Sequence, residues 1–452
     1  MLLLTLLLGS HSLPASRSQL LQRAAHGDVR AEVQLALSLQ DPKQGPPDLA
    51  ASERWLRAAA ATGDAEGELY LGRILHLVPG ARHDFAEARS WYKKAADQGN
   101  GRALNNLGLM YQDGDGVAQD WKAAGAYFRA SARLGNSYGE TNYAGWLVDH
   151  PSVMRSAGSV VRWEVDAPQV LDLLRKAASQ GEPEAMMKLA SCYKRGNPLG
   201  LPESPERYAE WTRRAAEAGT PDAMVSLGWA FEHGYGVPRD GAQAVAWTQR
   251  AAEAGHLQAM TNLGILYSQG RVVPKDLEKS VAWLKRGDAA GSWTATYELA
   301  VDYREGKGVP RDPEEAARLF ERAAACGWGQ AWLGLGRLYE DGYGVPKNPV
   351  KALDCYFMGA RRWDATSMNN IGAFYEHGLA GKEDVPLAWC WFHIAKAAGS
   401  DLAARNLNSL EDRMGFLQKL KAARTLPSVE AWLAQAQEEE RKRVDQAMAG
   451  GR

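Results

Sequence analysis

The chain is poor in cysteine: four residues in 452, at Cys192, Cys326, Cys355 and Cys390. These are too few and too scattered for a disulfide framework, and no Cys-x-x-Cys is present. An excess of charge is also missing. Lysine plus arginine number 53 against 54 aspartates and glutamates, a formal net charge of −1, so no global basic field exists to hold nucleic acid or an anionic membrane. Beyond the short run Leu2–Leu8 there is no long apolar stretch, and that run is too short to span a bilayer. No His-Glu-x-x-His occurs, and the glycine-rich loops lack the Lys-Ser/Thr of a phosphate-cradling loop. The nine histidines are dispersed; His233 and His377 share a sequence register, but four units apart. The expectation is therefore no metal, no cofactor and no catalytic residue.

What the chain has is glycine, 46 residues, about 10% against the usual ~7%. The excess is periodic. Gly27, Gly63, Gly99, Gly135, Gly181, Gly219, Gly255, Gly291, Gly327, Trp363 in a glycine's place, and Gly399 close successive Ala-rich segments; eight of the ten intervals are 36 residues, the others 46 and 38. Such a period marks an array of one supersecondary unit. Each unit reads as two helices. The first, clearest in 103–114, 223–234 and 259–270, repeats apolar residues at three and four and stops at a glycine able to adopt φ > 0. A loop such as GYGVPRD (234–240) follows. The second helix starts on Asp48, Asp84, Asp120, Asp166, Ser204, Asp240, Asp276, Asp312, Asn348 or Asp384, all N-cap residues. Asp84 with Glu87 and Asp312 with Glu315 resemble capping boxes. Bulky residues eight before each anchor, including Trp55, Trp91, Trp211, Trp247, Trp283 and Trp391, are expected in the core between repeats.

The A-x-x-x-LG-x-x-Y first helix, the G-x-GVP-x-D loop and the Lys/Arg-Ala-Ala-x-x-Gly close, all carried by residues 226–255, resemble the Sel-1-like repeat family, a relative of the tetratricopeptide repeat. The resemblance covers residues 24–415. It implies an all-α fold: a right-handed α-α superhelix of about ten helix-hairpin repeats with capping helices. It also implies a protein-binding adaptor, exported or envelope-associated as many bacterial members are, and not an enzyme. The expected layout is a signal peptide and N-terminal cap at 1–23, ten repeats at 24–399, and C-terminal capping helices with a charged tail at 400–452.

Two regions are candidates for contact with a protein or peptide partner. In related solenoids the first helices line the concave side; there Asn105, Asn106, Trp229, Asn262, Tyr297, Arg337, Asn369 and Asn370 offer amides, aromatics and a cation. The asparagines have a second reading, as bridges between neighbouring helices. The fourth unit carries about ten extra residues and reads as a loop over 150–166, where Arg155, Val161, Arg162 and Trp163 form either a contact site or a tolerated surface insertion. Leu2–Leu8 with Ser12 and Ala15 behind it resembles a short secretory leader, placing the protein in the periplasm or outside the cell. An uncleaved leader would make it a cytoplasmic assembly adaptor, and scattered groove acids would suit a cell-envelope hydrolase. Cys355 and Cys390 fall near equivalent positions of adjacent second helices and read as small buried residues.

Overall fold

The computed structural model describes residues 16–151, 153–157 and 160–450, with 153–157, 160–164 and 444–450 taken as backbone. The leader residues 1–15 lie outside the described residues. The chain divides into two compact units, with the boundary in the sequence between Arg239 and Asp240, inside the sixth repeat. Each unit is a run of antiparallel helix hairpins stacked in chain order. Most helices have 13 residues, among them Gly101–Asp113, Trp121–Arg133, Leu257–Gln269 and Leu277–Ala289. Helices this short are marginal alone in water, so packing must hold them.

The punctuation is as the sequence implies. Ten anchor glycines adopt positive φ, from 71° at Gly135 to 101° at Gly327, and Trp363 follows them at 62°. Trp363 is the one non-glycine residue with positive φ among the described residues. Its Cβ crowds the following carbonyl there, which costs roughly 1–2 kcal/mol. First helices end on left-handed Gly114, Gly234, Gly270, Gly306, Gly342 and Gly378. Nine of the ten second-helix caps accept from a first-turn N–H; Ser204 does not, and its hydroxyl meets Glu206 instead. The expected capping boxes are half made. Asp84 and Asp312 cap Glu87 N and Glu315 N, but the two glutamates turn outward to Arg57 and Arg318.

The core is set by a notch and a knob. Nine residues after the anchor, the first helix carries glycine or alanine. Facing it is the side chain seven before the next anchor. A Cβ at Gly108 would stand 2.5 Å from the Phe128 ring, at Gly336 2.5 Å from Tyr356, and at Gly372 2.6 Å from Phe392. The knobs Leu56, Tyr92, Phe128, Phe320, Tyr356 and Phe392 are all fully buried. The tryptophans expected to fill this core sit one residue earlier, 100° round the helix. Trp91, Trp211, Trp247 and Trp283 are only half-buried, each covered by the cation three residues on: Lys94 at 3.8 Å, Arg214 at 4.6 Å, Arg250 at 4.3 Å and Arg286 at 4.2 Å from the ring centre. Trp391 alone of the set is closed in.

Three segments depart from the array. The insertion contains an antiparallel β-hairpin, Val153–Ala157 with Val160–Glu164, rather than a loop. At the N-terminal end the helix Arg17–Ala25 buries Leu20 and Ala24 against Ala31 and Leu35. At the other end, the two helices implied by the sequence after Gly415 are one, Phe416–Gly450, running through Pro427. It covers the tenth hairpin with Ala422 and Leu433.

Candidate functional site

Within each unit, successive first helices approach one another more closely than successive second helices do. The first-helix face is therefore the inner one of each stack. Its residues divide by register. Positions five and six after the anchor are turned into the stack and are occupied by bonds to neighbouring helices. At position five Glu68 accepts from Gln98 Nε2 at 2.8 Å, and Glu140 from Gln180 Nε2 at 2.8 Å, each from the C-cap of the second helix of its own repeat; position six instead reaches the next repeat. Asn142 Nδ2 donates to Asn105 Oδ1 at 2.8 Å, and Asn406 Nδ2 to Asn369 Oδ1 at 2.9 Å. Thr261 pairs in the same way with Ser292 and Thr294. Asn105 and Asn369 are buried, so these two asparagines act as the bridges of the second reading.

Two of the asparagines at position seven bond back to the second helix of the preceding repeat. Asn106 hydrogen-bonds the buried Tyr92 phenol and Asn370 the Tyr356 phenol. Tyr356 also donates to Glu340 at 2.5 Å. Burial holds both phenols well above their ordinary range. Asn262 is half-buried and accepts from Gln258 at 2.9 Å.

Position ten is where the face opens. Trp229 is 43% exposed; its ring stacks on His233 with centroids 4.7 Å apart and meets Tyr235 at 5.5 Å. Arg337 in the second unit is exposed. Near it Tyr297 is half-buried against Phe320 at 5.7 Å and Trp328 at 6.2 Å. The partly exposed Trp293 lies 4.3 Å from Trp328. Burial raises the Tyr297 phenol and the Arg337 charge lowers it. The predicted residues thus do not form one lining. Trp229 stands in the first unit with His233 and Tyr235, while Tyr297 and Arg337 belong to the second. In the insertion, backbone register sets Arg155 opposite Arg162, Val161 opposite Ser156 and Trp163 opposite Met154.

Sequence reasoning missed three features. Asp302 stands eleven after its anchor, where the other units place Met110, Leu266, Leu338 and Phe374. It is buried, and burial together with Glu298 one turn away pushes its carboxyl up to about 7. Aligning the repeats column by column exposes it. The buried glutamates at position five, Glu32, Glu68 and Glu140, emerge from the same alignment, and burial raises each of them. Finally, Gly135-Asn136-Ser137-Tyr138-Gly139 fits the Gly-x-Ser-x-Gly pattern. Here it is a turn between two helices, with Asn136 capping Gly139 N and Ser137 opening the helix Ser137–Asp149. The strand-to-helix elbow that exposes a nucleophile is a different geometry, and the Ser137 hydroxyl bonds Glu182. Cys355 and Cys390 are buried free thiols, raised by burial to about 12 and about 11, so neither is a thiolate at neutral pH. No group of three or more His, Cys, Asp or Glu able to hold a metal exists among the described residues.

The sequence model of the Sel1 repeat matches nine segments: 29–64, 65–100, 101–136, 183–220, 221–256, 257–287, 293–328, 329–362 and 365–400. The chain belongs to the Sel1 repeat family. Members of this family are generally protein-interaction scaffolds. The unmatched stretch is the fourth repeat, which holds the β-hairpin but keeps its two helices, Ser137–Asp149 and Ala167–Ser179. Among solved structures, a protective antigen present in uropathogenic Escherichia coli strains and displaying an SLR fold is 26% identical, with 95% of this Sel1 chain and 97% of that chain covered and a TM-score of 0.47. A Sel1 repeat protein from Oxalobacter formigenes is 29% identical over 51% of this chain and 94% of its own, with a TM-score of 0.46. An immunity protein from Pseudomonas aeruginosa is 19% identical over 49% of this chain and 83% of its own, with a TM-score of 0.34. No curated protein matches significantly. No helix among the described residues is long and apolar enough to cross a membrane.

Proposed function

We propose that this Sel1 repeat protein is a non-enzymatic scaffold that holds a partner protein on its first-helix faces. The observation that carries the reading is the exposed Trp229, stacked with His233 and Tyr235 on a face whose other polar side chains are largely committed to the stack. Large aromatics held in place at low entropy cost are the usual anchors of protein interfaces. Arg337 and the half-buried Tyr297 offer a cation and an aromatic on the first helices of the second unit. The β-hairpin with Arg155, Val161, Arg162 and Trp163 is a further contact element under this reading, since per-repeat insertions fall on one side of a solenoid. The test is a photo-crosslinking residue placed at Trp229 and at Arg337 in the native host, with Lys93 on a second helix as the control. A partner crosslinked from the first two and not from Lys93 is expected; no adduct, or equal adducts from all three, would overturn the proposal. The apolar run Leu2–Leu8 supports export to the periplasm or beyond. Intact mass of the mature protein, expected to lack the first residues, checks this, and a full-length mass places the scaffold in the cytoplasm.

A further inference from the structure

The second unit contains a cleft to which the first helices contribute only Tyr375. It lies on the second-helix side, between the helices Pro349–Ala360 and Val385–Ala397 and the terminal helix Phe416–Gly450, with a volume of about 630 Å³. One wall is a single helical stripe, Asp354, Phe357, Met358 and Arg361, residues spaced three, four and seven along one face. Trp391 forms the floor and Trp432 the opposite wall. The three rings close on one another edge to face: Phe357 is 5.5 Å from Trp391 and 5.6 Å from Trp432, and the two indoles are 6.0 Å apart.

The two ends of the stripe carry opposite charges that the protein leaves unpaired. Arg361 makes no ion pair among the described residues, and its Nε is buried without a hydrogen-bond partner. Its guanidinium lies 5.8 Å from the centre of the Trp432 ring, which orients it over the cleft wall. Asp354 is exposed and has no ion pair among the described residues. Its neighbour Arg362, by contrast, is tied to Glu440. Two helical turns separate Asp354 from Arg361, about 10.5 Å along the axis. A ligand complementary to this surface is apolar in the middle, basic at one end and acidic at the other.

A peptide in the polyproline-II conformation has that shape. Its side chains recur on one face every three residues, about 9.3 Å apart, and its preformed backbone docks on aromatic grooves at little ordering cost. We infer that this cleft binds an extended peptide segment carrying a basic residue against Asp354, an acidic residue three positions away against Arg361, and apolar residues between them over Phe357, Trp391 and Trp432. Sites of this volume bury most of a ligand of a few residues. The inference is independent of the first-helix reading, because Trp229, Tyr297 and Arg337 take no part in the cleft.

Calorimetric titration of the full chain tests it. The probe is acetylated, amidated Lys-Leu-Pro-Glu, compared with Lys-Leu-Pro-Lys, Glu-Leu-Pro-Glu and Lys-Gly-Gly-Glu. The first should bind roughly tenfold or more tighter than any of the other three, the factor expected of a charge-assisted bond or of the apolar contact. Arg361→Glu should transfer the preference to Lys-Leu-Pro-Lys, and Asp354→Lys should transfer it to Glu-Leu-Pro-Glu. Both sites are at or near the helix surface, and either inversion suffices should the other variant fail to fold. Trp432→Ala should weaken every probe. Absence of saturable heat at millimolar peptide, preferences unchanged by both charge reversals, or equal binding of 3-phenylpropionate, the signature of a small-acid site, would each overturn the inference.

Discussion

The two units fill one column of the repeat with partly different chemistry, and buried carboxyls occur there in the first unit alone. At position five of the first helix, the first unit places buried carboxyls at Glu32, Glu68 and Glu140, two of which reach the glutamine that ends their own repeat, beside apolar Leu104, Met186 and Met224 in its other repeats. The second unit places no carboxyl there: it has Met260, Thr296, Trp332 and Met368 at the same register. A carboxyl–amide bond specifies its neighbour by geometry but carries a desolvation cost; a methionine fills the same space without specifying anything. The comparison teaches that in a repeat protein the column, and not the residue, is the unit of meaning. The second unit has its own buried acid, Asp302, but in a column that is otherwise apolar in that unit and with a like charge at Glu298 beside it.

The largest effect expected is on the knobs. Phe128→Ala in the first unit and Phe320→Ala in the second should each cost roughly 3–5 kcal/mol. Because the two units are separately compact, differential scanning calorimetry should show each variant lowering chiefly one part of the unfolding transition. Equal lowering across the whole transition would break the two-unit description. Next in size is Asp302→Leu, which should stabilise the second unit at pH 8 by on the order of 2 kcal/mol. The folded carboxyl titrates at about 7 against an ordinary 3.8, so between those values the folded chain binds more protons than the unfolded one. Stability from this group is full below about pH 4 and is lost as pH rises through 7. Urea midpoints of wild type and variant should therefore converge on acidification.

Gln98→Ala should cost roughly 1–3 kcal/mol in the first unit, because it leaves the Glu68 carboxyl buried without its donor. Adding Glu68→Met, which copies the second unit's solution, should recover most of that loss; failure to recover would mean the two chemistries are not interchangeable. The smallest effect is Trp363→Gly, a gain of about 1 kcal/mol from relief of the left-handed backbone, read as a rise in the urea midpoint. A loss there would show that the exposed indole contributes more than its strain removes.

Much of this was legible because it is local. Helix ends depend on residues within one turn, so Gly114, Asp240 or Asn348 announce them directly. Rotation about the helix axis is less legible. Trp247 and Thr248 differ by one place, and tryptophan is the more apolar; only the small residue on the facing helix shows that the second position is the buried one. Asn105 and Asn369 look like surface amides because their partners lie 37 residues away in the next repeat. The hairpin at 153–164 was obscured by the helical frame around it, although Gly158-Ser159 between two valine-containing segments is a turn signal. Pro427 suggested a break, and the helix passes through it because it packs on the tenth hairpin through Ala422 and Leu433. The first-helix lining was least legible of all, since the array fixes the columns but not which of them a partner sees.

The matched notch and knob have an evolutionary corollary. Gly108 and Phe128, like Gly372 and Phe392, belong to the same hairpin, so a duplicated or excised thirty-six-residue block travels with its interior already fitted. Only the amides that reach across the joins, such as Asn142 to Asn105, would remember which neighbour used to be there. Lengthening the chain by copying is therefore an easy accident for this architecture, and keeping the copies in order is the harder inheritance.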